Sequence, residues 1–489
     1  MREKLWLKGT IFLIFLIAIS LRLFLINSGC IWLDEGYRFI QSQNLKAYLD
    51  YLIYDTNPPL MPFLLHFWVN FFDKSEFALR LFPLTFSILG LILSGILGLN
   101  FFDKRFTLFF LSFLSTSPFF IKYSRDVTPY AVVLFFAILS TYLFLKLLNR
   151  QTGYNKKIFF LCYFLVLTGG LYTHYSFIYI YLAQIITIII HRRNLMYSDF
   201  KHIIRVFLWG AIISFPVIYQ IIAQYLFIRG YRWIPDFNFH ILGDTLLTIA
   251  STKLNLLILL CCFCVAIYLR INKKSPHHKI LIDYLILAGP LPILLIAILS
   301  KVYYSFFVDR YFLLSAFAIW FLVCLLASKV RICFLLLGLT VMGNLIKLPL
   351  YYESFTRDYD KRKLFCLLEE VVKNRKKRDV VLFKSYRDFV SSIVYNWDKD
   401  IPQYVVNGRV SNVVRYYFNG PYFISRGELR SKNGIFYFAN ISLQQAMKIK
   451  EIQGVKVRLH SSIYPHMVYF YQIKTPALMS FKEDRNKKG

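Results

Sequence analysis

The sequence predicts an all-α polytopic membrane bundle of about eleven transmembrane helices, with interfacial helices in its first outer loop and a small α/β domain at its C-terminal end. Three observations predict this class. The 489 residues are 57% hydrophobic and 19% aromatic, which is unusual for a soluble protein. Several apolar runs approach the roughly 20 residues that cross a bilayer. After about residue 350 these runs shorten, and charged residues interleave with them.

The first span is predicted at about 9–27. The N-terminal segment resembles a secretory signal, but its apolar run is long and no small-x-small cleavage pattern lies near Ser28, so we expect an uncleaved helix. The first outer loop then covers 28–77. The ten further spans are predicted at about 78–99, 105–121, 127–148, 157–173, 175–191, 203–225, 248–269, 280–299, 311–328 and 332–350.

Loop charges predict the orientation of the bundle. If the N-terminus is cytoplasmic, every inner loop is basic on balance, whereas the outer loops mix both signs. This is the positive-inside pattern, and it places the first outer loop and the chain after 350 outside the cytoplasm. The chain has 58 basic and 27 acidic residues. Such an excess could serve nucleic-acid binding, but in a membrane protein it fits contact with anionic lipids better, so we expect membrane lipids and no nucleic acid as partners.

Residues 351–489 predict a separate extracytoplasmic α/β domain. Strands are expected at 379–384, 422–425, 435–439 and 468–473, and helices at 364–377, 388–397 and 442–452. Short strands that alternate with helices favour this class. The segment has 26 Lys and Arg against 13 Asp and Glu, so it is itself basic and could rest on the outer leaflet.

Two adjacent carboxylates, Asp34 and Glu35, follow the first span. They could simply be first-turn acids of a short surface helix. Alternatively, a carboxylate at the lipid–water boundary can act as a general base, which makes both residues catalytic candidates. Neighbours on a helix point about 100° apart, so we expect one to do the chemistry and the other to support the fold or a metal. Amphipathic pieces at 36–53 and 60–73 are expected to lie in the interface plane.

A stiff element, Asp55-x-Asn57-Pro58-Pro59, lies later in the same loop. Its prolines fix φ and disfavour helix at the residue before each, and they open a helix that carries His66. A turn with a helix start would explain the prolines alone. Asp55, Asn57 and His66 are otherwise expected to support a site.

The second outer loop contains Lys122, Arg125, Asp126 and Tyr130. Lys122 and Arg125 could hold a phosphate, with Arg125 binding it through two donors. Asp126 could bind a divalent cation or orient Arg125. The alternative is an Arg–Asp surface pair beside a snorkelling lysine.

Two further polar residues lie at the ends of spans. His174 joins two spans almost without a loop, a position where a histidine is more often structural than catalytic. Arg310 opens the span at 311–328 and either snorkels or meets an anionic head group.

Taken in order, these pieces resemble the polytopic glycosyltransferases of the GT-C fold that use polyprenyl-phosphate sugars. Within that group the sequence is similar to the bacterial branch related to the protein O-mannosyltransferases and the lipid A aminoarabinose transferases. The resemblance covers the first 200 residues well and the rest thinly. It rests on Asp34-Glu35, Asp55-x-Asn57-Pro58-Pro59-Leu60, Leu64-Leu65-His66-Phe67-Trp68, Ser75-Glu76-x-x-x-Arg80, Tyr123-Ser124-Arg125-Asp126-x-x-x-Tyr130, Leu171-Tyr172-Thr173-His174-Tyr175 and Arg310-Tyr311.

The resemblance implies a function. Residues 1–350 would form the catalytic domain, and 351–489 the outer domain, in a bacterial plasma (inner) membrane. A monosaccharide would pass from a polyprenyl-phosphate donor to a glycan, lipid or protein acceptor, with Asp34 as base. Lys122, Arg125 and Arg310 would balance the phosphate charge, with or without a divalent cation near Asp126. Relatives usually carry His before Pro-Pro where this chain has Asn57, which puts cation use in doubt.

Two other functional classes are open to the sequence alone. A transporter or lipid flippase for a glycolipid would place charges at the membrane midplane and often shows inverted repeats, whereas here the charges gather at one face. A non-catalytic scaffold that binds partners through the outer domain would not need the acid pair.

Overall fold

A computed structural model of the protein describes most of the first 356 residues and four short strands after them. The described residues are 2–50, 52, 55, 57–149, 155–194, 197–227, 234–272, 276–303, 305–356, 380–383, 403–406, 423–424 and 436–439.

Eighteen α-helices and four strands make up the regular structure of these residues. In chain order the helices are α1 Arg2–Leu23, α2 Leu33–Gln43, α3 Leu45–Asp50, α4 Leu60–Phe71, α5 Glu76–Phe101, α6 Lys104–Thr116, α7 Pro118–Tyr123, α8 Tyr130–Leu148, α9 Lys156–Thr173, α10 Ile178–Ile190, α11 Tyr197–Ile213, α12 Phe215–Phe227, α13 Phe239–Ala250, α14 Lys253–Asn272, α15 Pro276–Ala288, α16 Pro290–Val302, α17 Leu313–Ala327 and α18 Cys333–Thr356. The strands are β1 Val380–Phe383, β2 Gln403–Val406, β3 Phe423–Ile424 and β4 Phe436–Ala439.

The protein is a multi-pass membrane protein with a mostly helical fold, as the sequence predicted. Eight of its described helices are long and apolar enough to cross a membrane, and α11 with α12 makes a ninth if this pair, bent by 44°, is one span. Each of the eleven predicted spans coincides with a helix or a broken pair of helices. The predicted spans at 105–121 and 175–191 are not among these long helices. The total of eleven spans therefore stays a prediction.

Helix α17 lies at the centre of the bundle. All of its side chains are buried, because a helix that is apolar on every side is stable only where other helices surround it. Trp320 in its middle stacks on Phe113 with ring centroids 3.7 Å apart, and its indole N–H donates to the Ile249 carbonyl at 3.1 Å. By contrast, only 11% of the apolar window of α1 is buried.

The described residues of the segment 28–77 form three α-helices rather than the two helical pieces that the sequence predicts. The amphipathic piece predicted at 36–53 is divided into α2 and α3, because Asn44 leaves the helical conformation at φ −137° and ψ 79°. The piece predicted at 60–73 is α4, which begins directly after the two prolines.

The chain divides into two compact units. The first contains Met1–Ile26, Leu52–Leu64 and Arg80–Tyr352, and the second contains Asn27–Tyr51, Leu65–Leu79 and Glu353–Gly489. In the second unit the strands form a parallel sheet in the order β3-β2-β1-β4. Three of these strands overlap those predicted at 379–384, 422–425 and 435–439. The strand predicted at 468–473 and all three predicted helices lie outside the described residues, so the α/β class of this segment stays a prediction.

Candidate functional site

The second loop, residues 122–130, comes shortly after a break between the helices α6 and α7. Helix α6 ends at Thr116, and Ser117 has an extended ψ of 121°, as expected for a residue that precedes proline. Pro118 then starts the short helix α7. Backbone turns follow, from the Arg125 N–H to the Lys122 carbonyl at 3.1 Å and from the Thr128 N–H to the Asp126 carbonyl at 2.7 Å. The loop is therefore compact, and its polar side chains are held inside the bundle.

The guanidinium of Arg125 is fully buried in the first unit. It lies over two tyrosines at the end of α18, 5.9 Å from the Tyr351 ring centroid and 5.5 Å from that of Tyr352. Tyr351 also interacts electrostatically with Asp126 and Arg80. A buried cation stacked on aromatic rings interacts more strongly than one in water, so the alternative of an exposed Arg–Asp surface pair is wrong for Arg125.

A row of aromatic rings links the second loop to two other spans. Tyr123 and Tyr130 have ring centroids 5.0 Å apart. The His174 ring lies 5.1 Å from that of Tyr130 and 5.8 Å from that of Tyr311. We call Tyr123, Tyr130, His174 and Tyr311 the aromatic row. It brings three parts of the chain that the sequence singled out into one place within the first unit.

His174 has a defined tautomer when neutral. It is buried and precedes a 3₁₀ turn at Tyr175–Phe177. Its Nδ1 accepts the backbone N–H of Ser176 at 3.1 Å and lies 2.8 Å from the Ser176 hydroxyl. Since Nδ1 is an acceptor, neutral His174 carries its proton on Nε2 and offers a donor there.

Charged groups surround Tyr123. The Lys122 ammonium lies 5.0 Å from the Tyr123 ring centroid, and Asp309, Asp126 and Arg310 all act electrostatically on the phenol. Burial raises the pKa of Tyr123 well above its usual range, and the nearby Asp309 carboxylate raises it further. The phenol therefore stays neutral and can donate a hydrogen bond at physiological pH.

Arg310 lies at the base of α17, in a 3₁₀ turn at Asp309–Phe312. Its backbone N–H donates to the Asp309 carboxylate at 2.7 Å, and its guanidinium lies 5.9 Å from the Tyr311 ring centroid. Arg310 thus joins Lys122 and Asp126 around Tyr123. Within the first unit, the described structure brings together these three predicted residues with Tyr130 and His174.

The proline element, Asp55-x-Asn57-Pro58-Pro59, is bound by a side chain of α12, the second helix of the bent pair α11 and α12. The Gln220 side-chain amide donates to the backbone carbonyls of Leu52, Asp55 and Asn57 at 2.7, 2.9 and 3.1 Å. Asp55 is buried, and Asn57 is half-buried. Sequence inspection had no reason to connect Gln220 with this loop, because polar residues in apolar runs usually serve packing between helices.

Asp34 and Glu35 belong to the second unit, in the first turn of α2. Glu35 is buried, and its carboxylate accepts the backbone N–H of Trp32 at 3.1 Å. This hydrogen bond satisfies one of the free donors at a helix start. Asp34 is half-buried, and adjacent residues of a helix lie about 100° apart around its axis.

His66, also in the second unit, connects α4 with the end of α2. Its Nδ1 lies 2.6 Å from the Ser42 carbonyl, and its Nε2 lies 3.1 Å from the Asn70 amide. Nδ1–H therefore donates to the carbonyl, and Nε2 accepts from Asn70. These contacts give His66 a supporting position.

No ready-made metal site is found within the ranges described above, where no three His, Cys, Asp or Glu side chains are grouped to hold a metal ion. Asp126 and Asp309 are the carboxylates near Tyr123.

Sequence reasoning did not select several residues that border this site. Tyr123 and Tyr311 lie inside motifs that it quoted, so their positions beside Lys122 and Arg310 were an available signal. Arg22 and the pair Tyr351–Tyr352 lie in long apolar runs and carried no such signal. Their contacts depend on spans that are distant in sequence.

Part of the chain matches a known protein family, and its fold is similar to those of solved structures. Residues 56–220 match the profile of the family described as dolichyl-phosphate-mannose-protein mannosyltransferase. The apo structure of ArnT from Cupriavidus metallidurans superposes with a TM-score of 0.65 over 95% of this chain and 98% of that chain, at 10% identity. The chain therefore shares the fold of ArnT, a GT-C fold. The resemblance inferred from the motifs is confirmed at the level of the fold.

Two further structures share this GT-C fold. ArnT from Cupriavidus metallidurans bound to undecaprenyl phosphate has a TM-score of 0.61 at 10% identity, covering 98% of this chain and 99% of that chain. The oligosaccharyltransferase AglB from Archaeoglobus fulgidus, in complex with an inhibitory peptide and a dolichol-phosphate, has a TM-score of 0.50 at 10% identity, covering 80% of this chain and 64% of that chain. No curated protein sequence matches the chain significantly.

Proposed function

We propose that this GT-C protein is an integral membrane glycosyltransferase. It moves a monosaccharide from a polyprenyl-phosphate donor to an acceptor on the extracytoplasmic face of a bacterial inner membrane. The acceptor is a cell-envelope glycan, a lipid or a protein. The observation that carries the proposal is the grouping of Lys122, Asp126 and Arg310 around the aromatic row.

The chemistry explains why such a grouping is useful. When the glycosidic bond to the phosphate breaks, negative charge develops on the departing polyprenyl phosphate. Fixed cations and hydrogen-bond donors in a low-dielectric site stabilise this charge strongly, because they need not reorganise. Arg125 and Arg310 present planar guanidinium groups that suit phosphate oxygens, and Lys122 adds a compact positive charge.

In the proposed reaction Asp34 acts as general base. It accepts the proton of the acceptor hydroxyl or amine while the acceptor oxygen or nitrogen forms a bond to the anomeric carbon. The bond between that carbon and the phosphate oxygen breaks, and its electron pair leaves with the polyprenyl phosphate. Glu35 supports the start of α2 through Trp32. A divalent cation near Asp126 would add Lewis-acid stabilisation of the phosphate charge, but the protein's own cations already offer charge for this step.

Two kinds of comparison support the donor class. The matched family description contains a dolichyl-phosphate sugar, and the ArnT structure was obtained with undecaprenyl phosphate. We propose that the segment after residue 350 selects the acceptor, because the loop charges predict that this segment lies outside the cytoplasm.

The first prediction concerns Asp34→Asn. In membranes supplied with a radiolabelled polyprenyl-phosphate sugar, this variant should transfer sugar about 10²- to 10⁴-fold more slowly, the range typical of losing a general base. Its thermal unfolding should match that of the wild type, since Asn keeps the shape of the side chain.

Asp73→Asn is the matched control. Asp73 is an exposed acid of the same loop, and the hydrogen bond from the Ser75 side chain keeps its pKa below the ordinary value. This variant should retain full transfer. Unchanged transfer by a correctly folded Asp34→Asn protein would rule out Asp34 as the base.

A further inference from the structure

The hydroxyl of Tyr123 stands out among the buried polar groups of the first unit. Tyr123 is 3% exposed, and its hydroxyl has no hydrogen-bond partner among the residues that the structure describes. Burying a hydroxyl without a hydrogen-bond partner costs stability. Such a hydroxyl calls for a partner from outside the protein, either a water molecule or a ligand.

The surroundings of this hydroxyl are polar and charged. The Lys122 ammonium lies 5.0 Å from the ring, and Asp126, Asp309 and Arg310 act on the phenol electrostatically. Its ring packs against Phe119 and Tyr130 at 5.1 and 5.0 Å between centroids. The ring is thus fixed by two aromatic neighbours, and charged groups of both signs act on the phenol.

We infer that the Tyr123 hydroxyl donates a hydrogen bond to a phosphate oxygen of the lipid donor. The inference rests on the proposed function and adds a specific contact to it. A neutral phenol is a donor that phosphate oxygens accept well, since hydrogen bonds to ionised acceptors are about twice as strong as neutral ones. Lys122 and Arg310 attract an anionic phosphate, and in the proposed contact this attraction outweighs the repulsion from Asp126 and Asp309, which also act on the phenol.

Tyr123→Phe tests this assignment, because it removes only the oxygen. The full-length protein in detergent micelles is titrated with undecaprenyl phosphate, and binding is followed by intrinsic tryptophan fluorescence and by thermal unfolding with and without the lipid. Binding should weaken roughly ten- to a hundredfold, as for loss of a hydrogen bond to a charged group. The ligand-free variant should unfold at the same temperature as the wild type or at a higher one, because no protein hydrogen bond is lost.

Tyr163→Phe is the matched control. Tyr163 is equally buried, but its hydroxyl donates to the Gln184 side chain at 2.7 Å. Removing this hydroxyl should lower the unfolding temperature and leave undecaprenyl phosphate binding unchanged. The same substitution should therefore weaken lipid binding but not stability at Tyr123, and lower stability but not lipid binding at Tyr163.

The outcomes separate this inference from the proposed function. If the wild type binds undecaprenyl phosphate and Tyr123→Phe binds it equally well, the Tyr123 contact is wrong while the proposed donor class stands. A Tyr123→Phe protein that is destabilised as much as Tyr163→Phe would show a protein partner for the hydroxyl and would also overturn the contact. Failure of the wild type to bind the lipid would overturn the donor class and the contact together.

Discussion

At the scale of single residues, Asp34 and Glu35 show how two adjacent carboxylates can take different roles. Glu35 is buried, and its carboxylate accepts the Trp32 N–H, whereas Asp34 is half-buried. The sequence shows that both acids are present, but it does not show which carboxylate accepts a backbone N–H at the start of the helix. Only the structure of α2 shows that it is Glu35.

This difference predicts separate effects for Glu35→Gln and Glu35→Ala. Gln keeps an oxygen acceptor for the Trp32 N–H, so Glu35→Gln should unfold near the wild-type temperature and retain most transfer activity. Ala leaves the N–H without its acceptor, and Glu35→Ala should lose about 1 kcal/mol of stability. Thermal unfolding and the membrane transfer assay measure the two effects. A stable Glu35→Gln protein as inactive as Asp34→Asn would make Glu35 a catalytic carboxylate.

At the scale of helices, the break between α6 and α7 is stabilised by an arginine from another span. Pro118 has no N–H to donate to the Leu114 carbonyl, and the break at Ser117 also frees the Ser115 carbonyl. The guanidinium of Arg22 in α1 donates to these two carbonyls at 2.9 and 3.0 Å. It also donates to the Ser87 hydroxyl at 3.1 Å. The positively charged Arg22 thus caps the C-terminal end of α6, where the helix dipole favours positive charge.

A double-mutant cycle tests this interpretation. Arg22→Met should lower the thermal stability markedly, because two buried carbonyls lose their donors at about 1–3 kcal/mol each. Pro118→Ala restores the N–H for the Leu114 carbonyl, so Arg22→Met should cost less in that background. The coupling should be about 0.5–3 kcal/mol, measured by unfolding of the purified proteins.

Arg105→Met is the control for loss of charge alone. Arg105 is exposed near the start of α6, so its replacement should leave the unfolding temperature almost unchanged. Strictly additive effects of Arg22→Met and Pro118→Ala on stability would show that Arg22 does not stabilise the break between α6 and α7.

The helices were the most predictable part of this chain, because the length of each apolar run in the sequence indicates the length of the helix directly. Pro118 also marked a helix boundary that can be read without a structure. The role of Arg22 could not be predicted, since an arginine near the end of a span usually snorkels to the surface. Its hydrogen bonds depend on how α1 packs against α5 and α6. The same holds for Arg125, whose burial under Tyr351 and Tyr352 depends on the position of α18.

At the scale of the whole molecule, the loop charges predict a cytoplasmic N-terminus. Cysteine labelling with a membrane-impermeant maleimide on intact cells tests this orientation, in a background without the natural cysteines. Asp73→Cys, in the first outer loop, should be labelled, and Lys329→Cys, in an inner loop, should not. Both native side chains are exposed, so access to solvent does not limit either reaction.

Permeabilised cells provide the control for this experiment, because both cysteines should then react. Labelling of Lys329→Cys but not of Asp73→Cys on intact cells would reverse the orientation. It would move the proposed site to the cytoplasmic face. The donor lipid would then have to present its sugar on the other leaflet.

Gln220 joins the proline element to a span that is itself bent. One amide contacts three carbonyls of the segment from Leu52 to Asn57, and it is carried by α12, which meets α11 at an angle of 44°. Because a single side chain makes all three hydrogen bonds, the backbone of the proline element is positioned by α12. A substitution that changes how α12 packs would therefore also change the position of a loop that lies more than 160 residues earlier in the chain.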